Sequence, residues 1–199
     1  MKREIESETI QQVKDGNFVL FEEVIITYQD RLGAFLFRLV KNKDDASDLC
    51  QETFFKAYRS IGSFKGKSKF STWIFRIGYN LSMTFLKRQK RQVPMDERIM
   101  RAASAPDLLQ TLETAEISKT INGIMLELPA KYGAALHLFF AAEKSYEEIS
   151  AIMKVPLNTV KSLIFRGKGL IKQKLNTDHS LPVQQQRTPG GKRESRDKK

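Results

Sequence analysis

The stretch Ser145–Leu175, SYEEISAIMKVPLNTVKSLIFRGKGLIKQKL, decides how the rest of the chain is read. Ser145 followed three residues later by Glu148 has capping-box spacing, in which each side chain takes an orphan backbone N–H at a helix start. A helix therefore opens here and runs to Met153. Lys154-Val155-Pro156 interrupts it, because proline has no amide hydrogen to continue the ladder, and a second helix runs from Leu157 to about Leu175. Helix, three-residue turn, helix is the layout of a helix-turn-helix. At roughly 100° per residue, Val160, Leu163, Ile164, Gly167, Leu170 and Ile171 share one face of the second helix. Asn158, Lys161, Ser162, Phe165, Arg166, Gly169 and Lys172 share the other. The first set is core. The second mixes hydrogen-bond donors, cations and an aromatic, the combination a helix needs to read base edges in a major groove. An amphipathic bundle helix with one outward aromatic is the alternative.

Charge supports a polyanionic partner. Among 199 residues, 34 Lys plus Arg face 23 Asp plus Glu, a formal net charge of +11, which says nothing about fold but favours nucleic acid or an acidic membrane surface. The cations are grouped. Between Thr53 and Met95 lie Lys56, Arg59, Lys65, Lys67, Lys69, Arg76, Lys87, Arg88, Lys90 and Arg91, with no acid among them. Between Ile149 and Thr177 lie Lys154, Lys161, Arg166, Lys168, Lys172 and Lys174, again with no acid. Two separate all-basic blocks suggest two nucleic-acid contacts; two solvated basic faces are the other reading.

Outward from these blocks the periodicity is helical. A short leading helix ends at the Lys14–Asn17 break. Phe18, Phe21, Val24, Ile25, Tyr28, Leu32, Phe35, Leu36 and Leu39 then form one broad apolar face. Asp44 reads as the N-cap of a helix to about Ser60. Ile61–Ser68, with Gly62 and Gly66, is a loop, and Ser68 reads as the cap of a helix over about 69–91. On that helix Phe70, Ile74, Ile77, Leu81 and Phe85 are core. Thr72, Arg76, Asn80, Met83, Lys87 and Lys90 lie opposite with Trp73 at their edge, and a further stripe of Phe75, Tyr79 and Leu86 implies packing on two sides. A basic face edged by an aromatic suits single-stranded nucleic acid, whose phosphates follow the cations while unstacked bases meet rings and amides. The helix before it differs in sign: Asp44, Asp45, Asp48 and Glu52, with Gln51, Leu49, Phe54 and Phe55, make a surface that DNA would repel and a protein would suit.

The whole reads as all-α, two small helical domains joined by a linker: residues 1–91, a linker over 92–112, a helix-turn-helix unit over 113–176 and a basic tail over 177–199. The tail has only Leu181 and Val183 as larger apolar residues and cannot bury enough surface to fold alone. One cysteine, Cys50, excludes an internal disulfide and a cysteine-built zinc site. The start lacks the apolar core of a signal peptide, and no stretch approaches the ~18 uninterrupted apolar residues of a membrane span. The cytoplasm is the expected location.

These segments together resemble a bacterial RNA polymerase sigma factor of the extracytoplasmic-function type, a branch of the sigma-70 family. DDASDLCQETFFKAYRSIGSFKGKSKFSTWIFRIGYNLSMTFLKRQKR, residues 44–91, resembles that family's region 2. LPAKYGAALHLFFAAEKSYEEISAIMKVPLNTVKSLIFRGKGLIKQKL, residues 128–175, resembles its region 4. The resemblance implies a partner for each surface. Asp45, Asp48, Leu49, Gln51 and Glu52 match the segment that docks on the β′ clamp helices of core RNA polymerase, with the β subunit as a further contact. Phe64 and Lys65 match the loop that captures a flipped base of the minus-ten promoter element. Asn80, with Trp73, Arg76 and Lys87 beside it, matches the helix that reads and melts that element. Asn158, Thr159, Lys161, Ser162, Phe165 and Arg166 match the positions that enter the major groove at the minus-thirty-five element.

The resemblance further implies transcription initiation from a stress or envelope-response regulon and restraint by an anti-sigma factor, often membrane-bound. It implies no catalytic residue, metal, cofactor or small-molecule substrate. A stand-alone helix-turn-helix regulator and a nucleic-acid-coating protein are the rival classes; the acidic helix argues against the first. The chain departs from the family pattern at Gly133, usually arginine, at Lys154, commonly glycine, at Cys50, usually small or β-branched, and at Gly167 and Gly169. Each helical glycine costs up to ~1 kcal/mol against alanine where exposed.

Overall fold

In the computed structural model, which describes residues 5–92 and 112–177, every regular element is helical. The first unit comprises α1 (Ser7–Lys14), a 3₁₀ turn (Phe18–Leu20), α2 (Phe21–Val40), α3 (Lys43–Ser60), a second 3₁₀ turn (Ile61–Ser63) and α4 (Phe70–Gln92). The second comprises α5 (Leu112–Glu127), α6 (Ala130–Leu136) continuing into a π turn (His137–Ala141), α7 (Tyr146–Met153) and α8 (Leu157–Thr177). Most of the expected linker and tail, 93–111 and 178–199, lies outside the described residues.

In α2 the expected apolar face is buried at Phe21, Val24, Tyr28, Leu32, Phe35, Leu36 and Leu39, while Phe18 stays exposed on the turn before it and meets Tyr58 edge-on at 5.3 Å. The cap of α3 is Asn42 rather than Asp44. Its side chain accepts from the amides of Asp44 and Asp45 at 2.8 and 3.0 Å, a cap worth about 1 kcal/mol. Both aspartates then sit in the first turn, where they face the positive end of the helix dipole. The first bond of α4 runs from the Trp73 amide to the Lys69 carbonyl, so that helix starts one residue later than a Ser68 cap implies.

The capping box of α7 is formed: Ser145 Oγ accepts from the Glu148 amide, and Glu148 accepts from the Ser145 amide. Lys154 ends α7 in the left-handed region at φ 55°, which explains why glycine is common at that position. Val160, Leu163, Ile164 and Gly167 of α8 are buried. Gly167 is there for contact. A Cβ on it would lie 2.9 Å from Leu136 Cδ1 and 3.1 Å from Cγ, so its glycine lets α8 settle against α6. Gly169 has nothing within 4 Å of its Cβ position, and Gly133 is buried with only ordinary contact to a backbone oxygen.

The two units pack through α4 on α7 and α2 on α6. Phe35 meets Phe75 at 5.3 Å and His137 at 5.8 Å. Around this apolar centre, Arg38 donates to the backbone and side-chain oxygens of Asn122 at 2.9 and 2.6 Å. Lys144, buried, donates to Ser71 Oγ. Thr72 Oγ1 donates to Glu148 Oε1 at 2.8 Å, with Lys144 and Lys69 at 3.4 and 3.9 Å from the same oxygen. Thr72, expected on the solvent face of α4, is only 2% exposed because α7 covers it.

Two predictions follow from this packing. Gly167→Ala forces a methyl into Leu136 and is expected to cost about 1–2 kcal/mol, whereas Gly169→Ala gains up to about 1 kcal/mol by removing backbone freedom. Urea midpoints at unchanged m-value read both, and equal signs contradict the assignment. Burial alone would raise the Glu148 pKa. The Ser145 amide, the Thr72 hydroxyl and the Lys144 and Lys69 charges outweigh it and hold the carboxyl below its ordinary 4.5. A depressed folded value gives stability that is present above the unfolded value and disappears as pH falls through the folded one. Glu148→Gln should therefore be less stable than the parent at neutral pH, with the gap closing as pH drops below 4.5; a pH-independent gap contradicts this.

Candidate nucleic-acid and protein-docking surfaces

Three surfaces carry the expected site residues, and each is set by which stripe its helix buries. On α3, burial of Ala46, Leu49, Thr53, Phe54 and Ala57 turns Asp48, Gln51 and Glu52 outward, all exposed, with Asp45 half-buried at their edge. Desolvation, then the like charges of Asp48 and Asp44, raise the Asp45 pKa. The carboxylates of Asp48 and Glu52 beside it make this face acidic, and it favours a cationic partner. Leu49 is a correction to the expected docking set: at 5% exposure it anchors the helix to its own core. Phe55, expected beside this acidic surface but not among the docking residues that the resemblance implies, is 61% exposed, while its neighbour Phe54 is buried. Phe55 lies seven positions after Asp48 and three after Glu52, so helical spacing places it on the same stripe, and the Arg59 guanidinium sits 5.5 Å from its ring centroid. Cys50 is half-buried. Burial, then the Asp30 charge, pushes its thiol up to about 11, and a thiol held protonated is unreactive.

The second surface joins the loop before α4 to α4 itself. The loop needs glycine at Gly66, whose φ is +68°, a conformation costly for other residues. Phe64 is half-buried and tied by rings, edge-on to Phe70 at 5.3 Å and tilted against Trp73 at 5.4 Å. Beside it lies a cavity of about 320 Å³, with Phe64, Lys65, Ser68 and Lys69 on the loop side and α1 on the other. That is the lower end of the range for small-ligand sites, and its lysines favour an anion-bearing occupant. Along α4, Arg76 and Lys87 are exposed and Trp73 and Asn80 half-buried, so the four form a continuous strip beside the loop while Thr72 is covered by α7.

The third surface is α8. Asn158, Thr159, Lys161 and Arg166 are exposed, Ser162 is half-buried and Phe165 is 79% exposed. A phenylalanine exposed this far buries little of its surface within the fold and leaves its ring open to a partner. Next to this face Lys168 Nζ lies 5.1 Å from the ring centroid of Phe140 and 5.7 Å from that of Phe139. Phe140, 56% exposed, sits on the π turn, and its adjacency to α8 has no signature in local sequence. Among the described residues, no group of three or more His, Cys, Asp or Glu side chains could hold a metal ion, and no helix is long and apolar enough to cross a membrane.

Residues 24–92 match the family Sigma-70 region 2, and residues 118–171 match Sigma-70, region 4. The chain is 31% identical over 176 residues to the ECF RNA polymerase sigma factor SigW of Bacillus subtilis, covering 83% of this chain and 94% of that one. It is 34% identical over 176 residues to the ECF RNA polymerase sigma-E factor of Haemophilus influenzae, covering 83% and 93%. Its structure is similar to that of the sigma factor RpoE of Bartonella quintana, solved in complex with the anti-sigma factor NepR, with a TM-score of 0.65 and 27% identity over 79% of this chain and 98% of that one. With both regions in order and most of each relative covered, the chain belongs to the extracytoplasmic-function family of RNA polymerase sigma factors.

Proposed function

We propose that the three surfaces divide the work of transcription initiation. The chain joins core RNA polymerase through the acidic stripe of α3: Asp45, Asp48, Gln51 and Glu52, with Phe55 added and Leu49 holding the helix in place. The β′ clamp helices take this stripe, and the β subunit contacts the second unit. α8 reads duplex DNA at the minus-thirty-five element through Asn158, Thr159, Lys161, Ser162, Phe165 and Arg166. The strip Trp73, Arg76, Asn80 and Lys87 follows the opened minus-ten strand, while Phe64 and Lys65 hold one flipped base. Trapping that base needs to offset only a few kcal/mol of unstacking, enough to shift a closed-to-open equilibrium. No bond is made or broken by this chain; the chemistry and its metal ions belong to the polymerase. The single observation that carries this reading is the outward Phe165 beside Lys161 and Arg166, on a helix whose opposite side buries Val160, Leu163, Ile164 and Gly167.

The working units are 1–91 and 113–176, bridged by 92–112, and the protein acts in the cytoplasm, where polymerase and DNA meet. That the Bartonella quintana relative was solved with an anti-sigma factor supports such a partner for this chain, and the family name supports an envelope- or stress-response regulon. Sequencing the transcripts made in vitro by core polymerase plus the purified chain tests the reading. Defined start sites sharing two upstream sequence blocks are expected. Glu52→Lys should reduce co-purification with core polymerase, and Arg166→Ala should weaken recognition of the upstream block by about 1–3 kcal/mol. A chain that binds duplex sites alone and never retains polymerase overturns it.

A further inference from the structure

The region that matches the family begins at residue 24, yet the cavity beside Phe64 is lined on its second side by residues before that point. Ile5, Ser7, Ile10, Gln11 and Lys14 line it from the α1 side. α1 is fixed there by its own packing: Ile10 and Val13 are buried, and the Ile5 amide donates to the Tyr28 hydroxyl at 3.1 Å. Lys14 crosses to the loop. Its ammonium donates to the Phe64 carbonyl at 2.5 Å, fifty residues away in sequence, and lies 5.5 Å from the centroid of the Phe64 ring. One cation therefore engages both the backbone and the side chain of the same loop residue.

From the remaining sides Phe64 is held by the rings of Phe70 and Trp73 and by its backbone N–H, which donates to the Ile61 carbonyl at 3.0 Å. Charge-assisted hydrogen bonds are the stronger class, and they fix geometry as well as add energy. Without Lys14, the Phe64 carbonyl loses that donor and the loop loses a charge-assisted tie to α1.

We propose that Lys14 is a positioning residue for base capture. It sets the loop so that the cavity between α1 and Phe64 accepts one unpaired nucleobase and discriminates among bases. This rests on the reading of Phe64 and Lys65 as the base-capturing loop. Holoenzyme assembled from core polymerase and the full chain would first select a single-stranded DNA decamer from a random pool. The parent, Lys14→Met, Lys14→Arg and Phe64→Ala holoenzymes would then be titrated with that oligonucleotide, its single-base variants and its single abasic variants.

The expected result is that Phe64→Ala and Lys14→Met both lose preference at the same one position. Lys14→Met should weaken binding of the selected oligonucleotide about tenfold, change little toward the oligonucleotide abasic at that position, and be rescued by Lys14→Arg. Binding of Lys14→Met to core polymerase should match the parent. If Phe64→Ala loses the preference and Lys14→Met keeps it, the loop reading stands and this inference falls. If Lys14→Met weakens the abasic oligonucleotide as much as the intact one, Lys14 is a general phosphate contact and the inference again falls. If neither variant alters base preference, base capture at the loop is itself overturned.

Discussion

The contact of Phe35 with Phe75, 5.3 Å between ring centroids, locks α4 against α2, and the character of the basic face follows from it. α4 is apolar on two sides, so it must be covered on two sides to be stable. α2 and α3 take one side; α7 and the Lys144 just before it take the other, through Thr72 and Ser71. What remains open is a single strip. That strip holds Trp73, Arg76, Asn80 and Lys87, and it borders the loop carrying Phe64. A helix with only one buried side would have offered a broader cationic surface and less positional selectivity.

Much of this was legible from periodicity. The division of α8 into a seated face and an outward face, including Phe165, follows from angular spacing alone. So does the demand that α4 pack twice. The Ser145–Glu148 capping box is a local device with fixed spacing, and it formed as expected. Other features rest on contacts that spacing cannot see. Thr72 is polar and lies on the basic side of its own helix, yet it is covered by Glu148, seventy-six residues away. Leu49 sits among acidic neighbours, and only the path of α2 decides that it faces inward. Asn42 outcompetes Asp44 for the cap because either can accept from the first-turn amides, so boundary residues of this type differ by a position or two. Gly167 reads as a defect in a helix until Leu136 is placed beside it.

The electrostatics are arranged so that the surfaces do not compete. The acidic stripe of α3 repels polyanions and favours a cationic partner. The Glu148 carboxylate, held ionised by its neighbours, lies in the seam between units rather than on a reading face, where it would oppose phosphate. The two basic surfaces differ in what accompanies the charge. The α4 strip is rimmed by a cavity and packed rings, which suits a flexible strand with exposed bases. α8 offers an exposed helical face with one projecting aromatic, which suits an intact groove.

Placing a photo-crosslinking amino acid at Trp73 in one variant and at Phe165 in another, each assembled with core polymerase on a promoter in the open state, tests the division most directly. The account predicts that the α4 probe labels an unpaired strand near the start site while the α8 probe labels duplex upstream, with no shared nucleotides. Labelling of one and the same duplex segment by both probes would contradict it.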